Sequence, residues 1–398
     1  MSPLAIVILG CAAVASGYQL FQLFAAWLFF RRARPVPEPG APLPPVTLLK
    51  PLKGPGLDLY ANLASFCHQD YPTYQIVFGV EDPRDPAVTV VQQLKRDYPD
   101  RDIVLSVAST PGANRKVANL RHMMRQARYG VLVMSDSDIR VRPDYLRAMV
   151  SPLADPSIGL TTCLYRGAGR FGLPSVFESL FINTDFTPMV LAAQLVQRFE
   201  YAFGASIAFR REALDRIGGF GPLADYLADD YLLGNRIAKA GYRLVLLPYM
   251  VETVLDSVSL RDVWRHLVRW ARTYRVTQPV GWFASVITQA TLWGTLAVVA
   301  THGAGAGWIA LLIALAARLG SLALVLRLLD ERDTIRQLWL VPLKDLVHSA
   351  IWAAAFLGRH VNWSGQLLRV ERDGRMVPVS VGPEPFAEEI ETLRAAGS

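Results

Sequence analysis

The sequence predicts an α/β domain with a mostly parallel sheet, joined to membrane-spanning helices at both ends. Three observations carry this reading. Hydrophobic residues make up 52% of the 398-residue chain against 19% charged, with a mean hydropathy of +0.25, which excludes a disordered or wholly water-soluble protein. Between residues 45 and 280, acids, turns and alternating patterns have the mix of an ordinary globular domain. Within that stretch short apolar runs alternate with helical stretches, the pattern of parallel strands covered by helices.

Each element follows from local chemistry. Leu4 to Phe30 is 27 residues without a charge, enough to cross a ~30 Å hydrocarbon core, and Arg31, Arg32 and Arg34 follow at once. A signal peptide carries its basic residues before a shorter apolar core; the reversed order predicts a retained anchor over 1–34 whose C-terminal end is cytoplasmic. The proline-rich residues 35–45 predict a stiff spacer. The soluble domain spans 46–256, where VTLLKPLKG, QIVFGV, DIVLSVA and GVLVMSD read as strands and 57–67, 87–96 and 116–127 as helices between them.

Residues 257–280 predict an amphipathic helix in the headgroup plane, with Val263, Trp264, Leu267, Trp270, Ala271 and Tyr274 on one side and Arg261, Arg265, Arg269 and Arg272 largely on the other. The membrane region 281–358 holds two apolar runs, 282–300 and 308–326, expected to form a hairpin with Arg318 facing protein. A third run, 338–358, contains Lys344 and Asp345. That charged pair predicts a re-entrant or interfacial segment, which keeps a basic tail, 359–398, on the cytoplasmic side.

The net charge is +7, and all but six of the 41 basic residues are arginine, a residue suited to phosphates and anionic lipid surfaces. No nucleic-acid-binding module pattern appears, which argues against a nucleic-acid partner. Cys11, Cys67 and Cys163 are widely spaced, so neither a disulfide framework nor a zinc site is indicated.

Ligands of such sheets bind at the carboxyl ends of the strands, and two of the strands end in acids. One runs into Glu81 and Asp82, the other into Asp136, Ser137 and Asp138. Alternation in an extended segment puts Asp136 and Asp138 on one side, placed to hold one divalent cation, Mg2+ or Mn2+, through oxygen ligands beside a nucleotide diphosphate. No GxxxxGK[ST] or GxGxxG occurs, so P-loop and dinucleotide-binding readings lack their fingerprint. Further on, Asp229 and Asp230 precede an amphipathic helix. Helix capping is the expected role for Asp229 or Asp225, while repulsion between adjacent carboxylates can raise one pKa toward that of a general base.

In order, VTLLKPLKG, CHQDYPTYQIVFGVEDPRDP, NRKVANL, SDSDIRV, LADDY and HLVRW resemble the motifs of the membrane-bound, inverting GT-A glycosyltransferases of the ceramide glucosyltransferase family. The likeness spans residues 46–270, and within the group it leans to bacterial hopanoid-associated enzymes similar to N-acetylglucosaminyltransferases acting on bacteriohopanetetrol. It implies a UDP-sugar donor (UDP-N-acetylglucosamine or UDP-glucose), a membrane-lipid acceptor (hopanoid, or ceramide as the alternative), and a bacterial inner-membrane location with the catalytic domain facing the cytoplasm.

The resemblance also implies roles: Asp82 near the base and ribose, Lys116 near the diphosphate, Asp136 and Asp138 on the metal, Asp230 as the catalytic base, and Arg269 with Trp270 bordering the diphosphate and acceptor. His266 stands where the family's (Q/R)xxRW motif has Gln or Arg, which argues against a processive polysaccharide synthase. An inverting transfer needs one base and a cation-stabilised leaving group, which this set of residues supplies.

Overall fold

The computed structural model describes residues 1–32, 43–108, 111–169, 172–255, 259–363 and 366–379; most of the expected spacer, Arg34 and the tail beyond 379 lie outside them. Eight strands form the central sheet: β1 (Val46–Pro51), β2 (Tyr74–Val80), β3 (Asp102–Val107), β4 (Val131–Ser135), β5 (Ile139–Arg140), β6 (Ile158–Ala168), β7 (Ser206–Arg210) and β8 (Arg243–Val254), in the order β3-β2-β1-β4-β7-β6-β8-β5. β3, β2, β1 and β4 run parallel, as do β6 and β8, while β7 is antiparallel to both of its neighbours. The mostly parallel sheet expected from the sequence is therefore present.

Alternation along β1 builds the two layers. Val46 and Leu48 join one core, with Leu63 and Phe66 of α2 (Leu59–Cys67), Val91 and Leu94 of α3 (Ala87–Asp97) and Met149 of α5 (Tyr145–Val150). Leu49 joins the other, with Val117 and Leu120 of α4 (Arg115–Met123), Leu214 of α8 (Arg211–Arg216) and Ile237 of α9 (Asp229–Lys239). A sheet covered on both faces needs apolar residues at both phases, and Lys50, in the same strand, breaks that pattern.

Helix α1 (Pro3–Arg32) and α13 (Gly305–Leu328) are long and apolar enough to cross a membrane. α1 turns a small-residue face of Ala5, Ala12, Ala15, Ala25 and Ala26 inward, while Leu4, Ile6, Val7, Leu20 and Phe24 stay exposed, as a lipid-facing surface requires. The run expected as the first arm of the hairpin is not one straight helix. α11 (Pro279–Ala284) with the turn after it meets α12 (Ala290–Ala300) at a 55° bend, and Gly294 of α12 packs so close to the Leu311 backbone that a Cβ would lie 3.0 Å from its Cα.

The third apolar run forms α15 (Val341–Ala354), after the short α14 (Arg332–Arg336). Its 14 residues reach about 21 Å, short of a full span. Its charges are used inside the protein. Lys344 is fully buried and donates to Asp185 Oδ1 and Oδ2 at 2.7 and 2.8 Å. Arg318 is buried too, bonding Asp185 at 2.5 Å and Asp345 at 3.0 and 3.1 Å. His348 Nδ1 is 2.7 Å from Asp185 Oδ2. Asp185 lies in a π-helical turn, Ile182–Phe186, between α6 (Leu173–Phe181) and α7 (Thr187–Val196), so one carboxylate ties α13 and α15 to the soluble domain.

Asp185→Asn leaves two buried cations undercompensated, and a loss of about 3–5 kcal/mol is expected, read as a lowered thermal midpoint in detergent. Asp330→Asn, whose partner Arg332 is 83% exposed, is the control and is expected to change stability by less than about 1 kcal/mol.

One sequence expectation is corrected, and the tail gains detail that the sequence did not predict. Helix α10 (Leu260–Thr277) buries Val263, Leu267, Val268 and Ala271 against Phe181, Trp282, Ile351 and Ala355, so its apolar face meets protein instead of headgroups, although Trp264 stays 40% exposed. The basic tail is partly structured: β9 (His360–Trp363), β10 (Gln366–Val370) and β11 (Met376–Pro378) form a separate antiparallel sheet.

Candidate active site

The site is built where β4, α4 and α9 point their ends at one another. The chain leaves β4 at Ser135 and turns through residues 136–138 before β5. Asp136 and Asp138 therefore lie on a turn, and the extended-strand alternation that paired them in the sequence does not operate. Lys116, in the first turn of α4, reaches Asp136 Oδ1 at 2.5 Å and Asp229 Oδ2 at 3.8 Å. Asn114 caps α4 through its Oδ1 and donates from Nδ2 to Asp229 Oδ1 at 3.1 Å.

Asp229 does not cap α9; its carboxylate is spent on Asn114 and Lys116. Asp225 accepts the Ala113 N–H at 3.1 Å instead of a helix N–H. The capping expectation fails for both because the neighbouring α4 segment offers the donors.

Asp230 accepts the Gly204 N–H at 2.7 Å on Oδ2 and its neighbour's N–H at 2.8 Å on Oδ1. Gly204 is the centre of the cradle. A Cβ there would lie 3.2 Å from Asp230 Oδ2, 3.3 Å from Asp136 Oδ2 and 3.3 Å from Lys116 Nζ. Gly204→Ala is expected to crowd all three groups and lower catalytic activity more than tenfold with little change in thermal midpoint; an unaltered rate would show that the cradle has slack.

Burial and like charge raise the carboxylates. Asp229 is pushed up to about 6 by burial and by Asp230 and Asp136, against the pull of Lys116 and Asn114. Asp230 is also raised, by burial first, with Lys116 and its two N–H donors opposing. Burial lowers Lys116, but Asp136, Asp229 and Asp230 outweigh it and the ammonium is held above its ordinary value. Arg269 approaches from α10 into the field of Asp136, Glu178 and Asp230; burial lowers its pKa without discharging it.

Of the residues singled out from sequence, Lys116 and Asp136 pair directly, Asp230 faces them across Gly204, and Arg269 lies in the field of Asp136 and Asp230. Trp270 packs against His266 with the rings tilted at 58° and their centres 4.5 Å apart, and His266 Nδ1 is 2.5 Å from Glu178 Oε1. Asp82 stands apart. It is exposed just beyond β2, and its carboxylate is tied to Arg84 by 2.8 Å and 3.3 Å bonds that lower its pKa.

Sequence reasoning missed Lys50. It is fully buried in β1, donating to the Asp136 carbonyl at 2.5 Å and to Ser135 Oγ at 3.3 Å, with its Nζ 3.8 Å from the Phe66 ring centre. Burial pulls this ammonium down to about 7 while Asp138 and Asp136 oppose. A lone lysine inside an apolar strand was the available signal. Gly204 gave none.

The residues fit a divalent cation of the Mg2+ class. Among the described residues no three His, Cys, Asp or Glu gather into a ready-made cage, and such ions take one or two carboxylates with substrate phosphates and water completing the shell. Asp136 and Asp138 offer carboxylate oxygens only, the donor chemistry such an ion requires, and Asp136 Oδ1 is paired to Lys116 at 2.5 Å.

Comparison with known proteins agrees with this architecture. The family pattern described as Glycosyl transferase family 21 matches residues 7–376. Ceramide glucosyltransferase 3 of Caenorhabditis elegans is 29% identical over 269 residues, covering 67% of this chain and 58% of the relative. Ceramide glucosyltransferase 1 of the same organism is 27% identical over 265 residues, 66% and 56%. The chain thus spans a little over half the length of these curated relatives. Among solved structures, the mannosyltransferase PcManGT from Pyrobaculum calidifontis, in complex with GDP-Man and Mn2+, superposes with a TM-score of 0.52 at 21% identity, covering 87% of this chain and 99% of that one. The shared fold is of the GT-A type. With the family pattern running over nearly its whole length, the chain belongs to glycosyl transferase family 21.

Proposed function

We propose that this protein is an inverting glycosyltransferase that moves a hexose from a UDP-sugar to the hydroxyl of a membrane lipid. One observation carries the reading: Asp230, Asp136 and Lys116 converge on the Gly204 cradle, in a domain joined to apolar helices long enough to span a bilayer. The donor would lie across the carboxyl ends of β1, β2 and β4, with its diphosphate toward Lys116 and Arg269 and its base toward Asp82.

Asp230 takes the proton of the acceptor hydroxyl. The freed oxygen attacks the anomeric carbon from the face opposite the diphosphate, the bond from that carbon to the phosphate oxygen breaks, and the configuration inverts. Charge then grows on the leaving UDP, where Lys116 and Arg269 meet it. Mg2+ or Mn2+ on Asp136 and Asp138, when bound, supplies further positive charge there. No second carboxylate nucleophile is needed, because no covalent enzyme intermediate forms.

The names of the relatives support ceramide as acceptor and glucose as the sugar. The ordered motifs, with their likeness to hopanoid-associated enzymes, support bacteriohopanetetrol and N-acetylglucosamine. Arg31 and Arg32 at the end of α1 support a cytoplasmic catalytic domain, and the likeness to hopanoid-associated enzymes supports a bacterial inner membrane. Membranes carrying the protein, incubated with labelled UDP-glucose or UDP-N-acetylglucosamine and either lipid, should give a product whose mass identifies both partners. No labelled lipid with any pairing would sink the proposal.

A further inference from the structure

The sheet β9–β11 has no part in the chemistry above, yet it grips the loop that leads into Asp229 and Asp230. Leu227 donates its N–H to the Gly374 carbonyl at 3.1 Å, and Met376 donates its N–H to the Asp225 carbonyl at 2.7 Å. Between these bonds Tyr226 and Arg375 pair as an isolated antiparallel bridge. Arg375 Nε also donates to the Tyr226 hydroxyl at 3.1 Å, with its guanidinium 5.5 Å from the ring centre. Beneath the bridge, Leu227 closes a small core with Val361, Leu368, Val370 and Met376, all nearly fully buried.

The opposite side of the loop is tied to the start of α4, where Asp225 accepts from Ala113 and the Tyr226 carbonyl accepts from Asn114 Nδ2 at 2.8 Å. The same sheet is fastened to α10, the helix that carries Arg269: Arg272 donates to the Leu357 carbonyl at 2.7 Å and to the His360 carbonyl. One small module therefore holds both the segment before Asp230 and the helix of Arg269. Room for misplacement exists, because a cavity of about 190 Å³ lies between the loop, α9, α10 and the sheet, lined by Leu227, Tyr231, Leu232, Val276 and Gly374 among others. A loop released from β11 has somewhere to go, and a shift near 1 Å at a reacting group lowers rates about 100-fold.

We propose that β10 and β11 position the base loop, with Leu227, Arg375 and Met376 acting as positioning residues for Asp230. The inference rests on the reading of Asp230 as the base. Met376→Asp, in the full chain in lipid nanodiscs, puts a carboxylate into the small core and releases β11. Transfer is measured with UDP-glucose and UDP-N-acetylglucosamine, each with a total lipid extract, and nucleotide affinity is measured with UDP by calorimetry.

The expected result is a kcat at least tenfold lower with donor KM and UDP affinity within about twofold, while Met376→Leu behaves as the native chain. Asp230→Asn is assayed alongside. If Asp230→Asn transfers at the native rate, the base assignment and the positioning role fall together. If Asp230→Asn is inactive but Met376→Asp keeps the native kcat, or loses UDP affinity by the same factor as kcat, only the positioning role is overturned. Should Met376→Asp not accumulate folded, Leu368→Ala removes volume from the same core and is read by the same split.

Discussion

Replacing Asp230 by asparagine is expected to lower kcat by about 10²–10⁴ while UDP affinity stays within about twofold. The asparagine keeps an oxygen for the Gly204 N–H, the 2.7 Å bond that seats this side chain, and gives up only the 2.8 Å bond from the N–H of Tyr231. What is lost for the chemistry is the capacity to take a proton. Because burial raises the Asp230 carboxyl above its ordinary value, against the pull of Lys116 and the two N–H donors, the acid limb of kcat/KM should lie higher in pH than that of an exposed aspartate. The sign is fixed by the role: a base must be ionised, so activity is present above its pKa and is lost as pH falls through it. Asp229→Asn removes a carboxylate already committed to Asn114 and Lys116 and should leave measurable transfer. An inactive Asp229→Asn beside an active Asp230→Asn would exchange the two roles.

The parts of the molecule that were legible in the sequence are those governed by local pattern. β1, β2, β3 and β4 are short apolar runs bounded by turn residues, and their strand character follows from that alone; so does the 30-residue α1. Residues whose role depends on what another segment brings were not legible. Asp229 reads as a helix cap until Asn114, 115 positions earlier in the chain, supplies a better donor. The helix α10 reads as interfacial because periodicity shows an apolar face but not what covers it, and here α6 and α15 cover it. Lys344 and Asp345 look expensive in a membrane segment until Asp185 and Arg318 neutralise them. The tail sheet was not legible in the sequence at all, for a different reason. Its strands are three to five residues long and owe their pairing partly to Leu227 and Asp225, so no run within 359–379 carries a strong period of its own.

The double substitution Asp136→Asn, Asp138→Asn is expected to remove the metal dependence of nucleotide binding. In the native protein, UDP affinity measured with Mn2+ should fall at least tenfold on chelation, since diphosphate and cation fill each other's coordination shells. In the variant the two affinities should coincide. They should not fall to zero, and the reason lies in Lys116. Its ammonium sits 2.5 Å from Asp136 Oδ1; with that carboxylate neutralised, the charge is freed for phosphate, and Arg269 keeps its position. Residual, chelator-insensitive binding through Lys116 and Arg269 is thus the signature of two lost metal ligands, whereas a collapsed site would lose binding altogether. Lys116→Met added to the pair should abolish the residue of affinity. If the double variant still loses UDP on chelation, the cation is held elsewhere and the assignment of Asp136 and Asp138 fails.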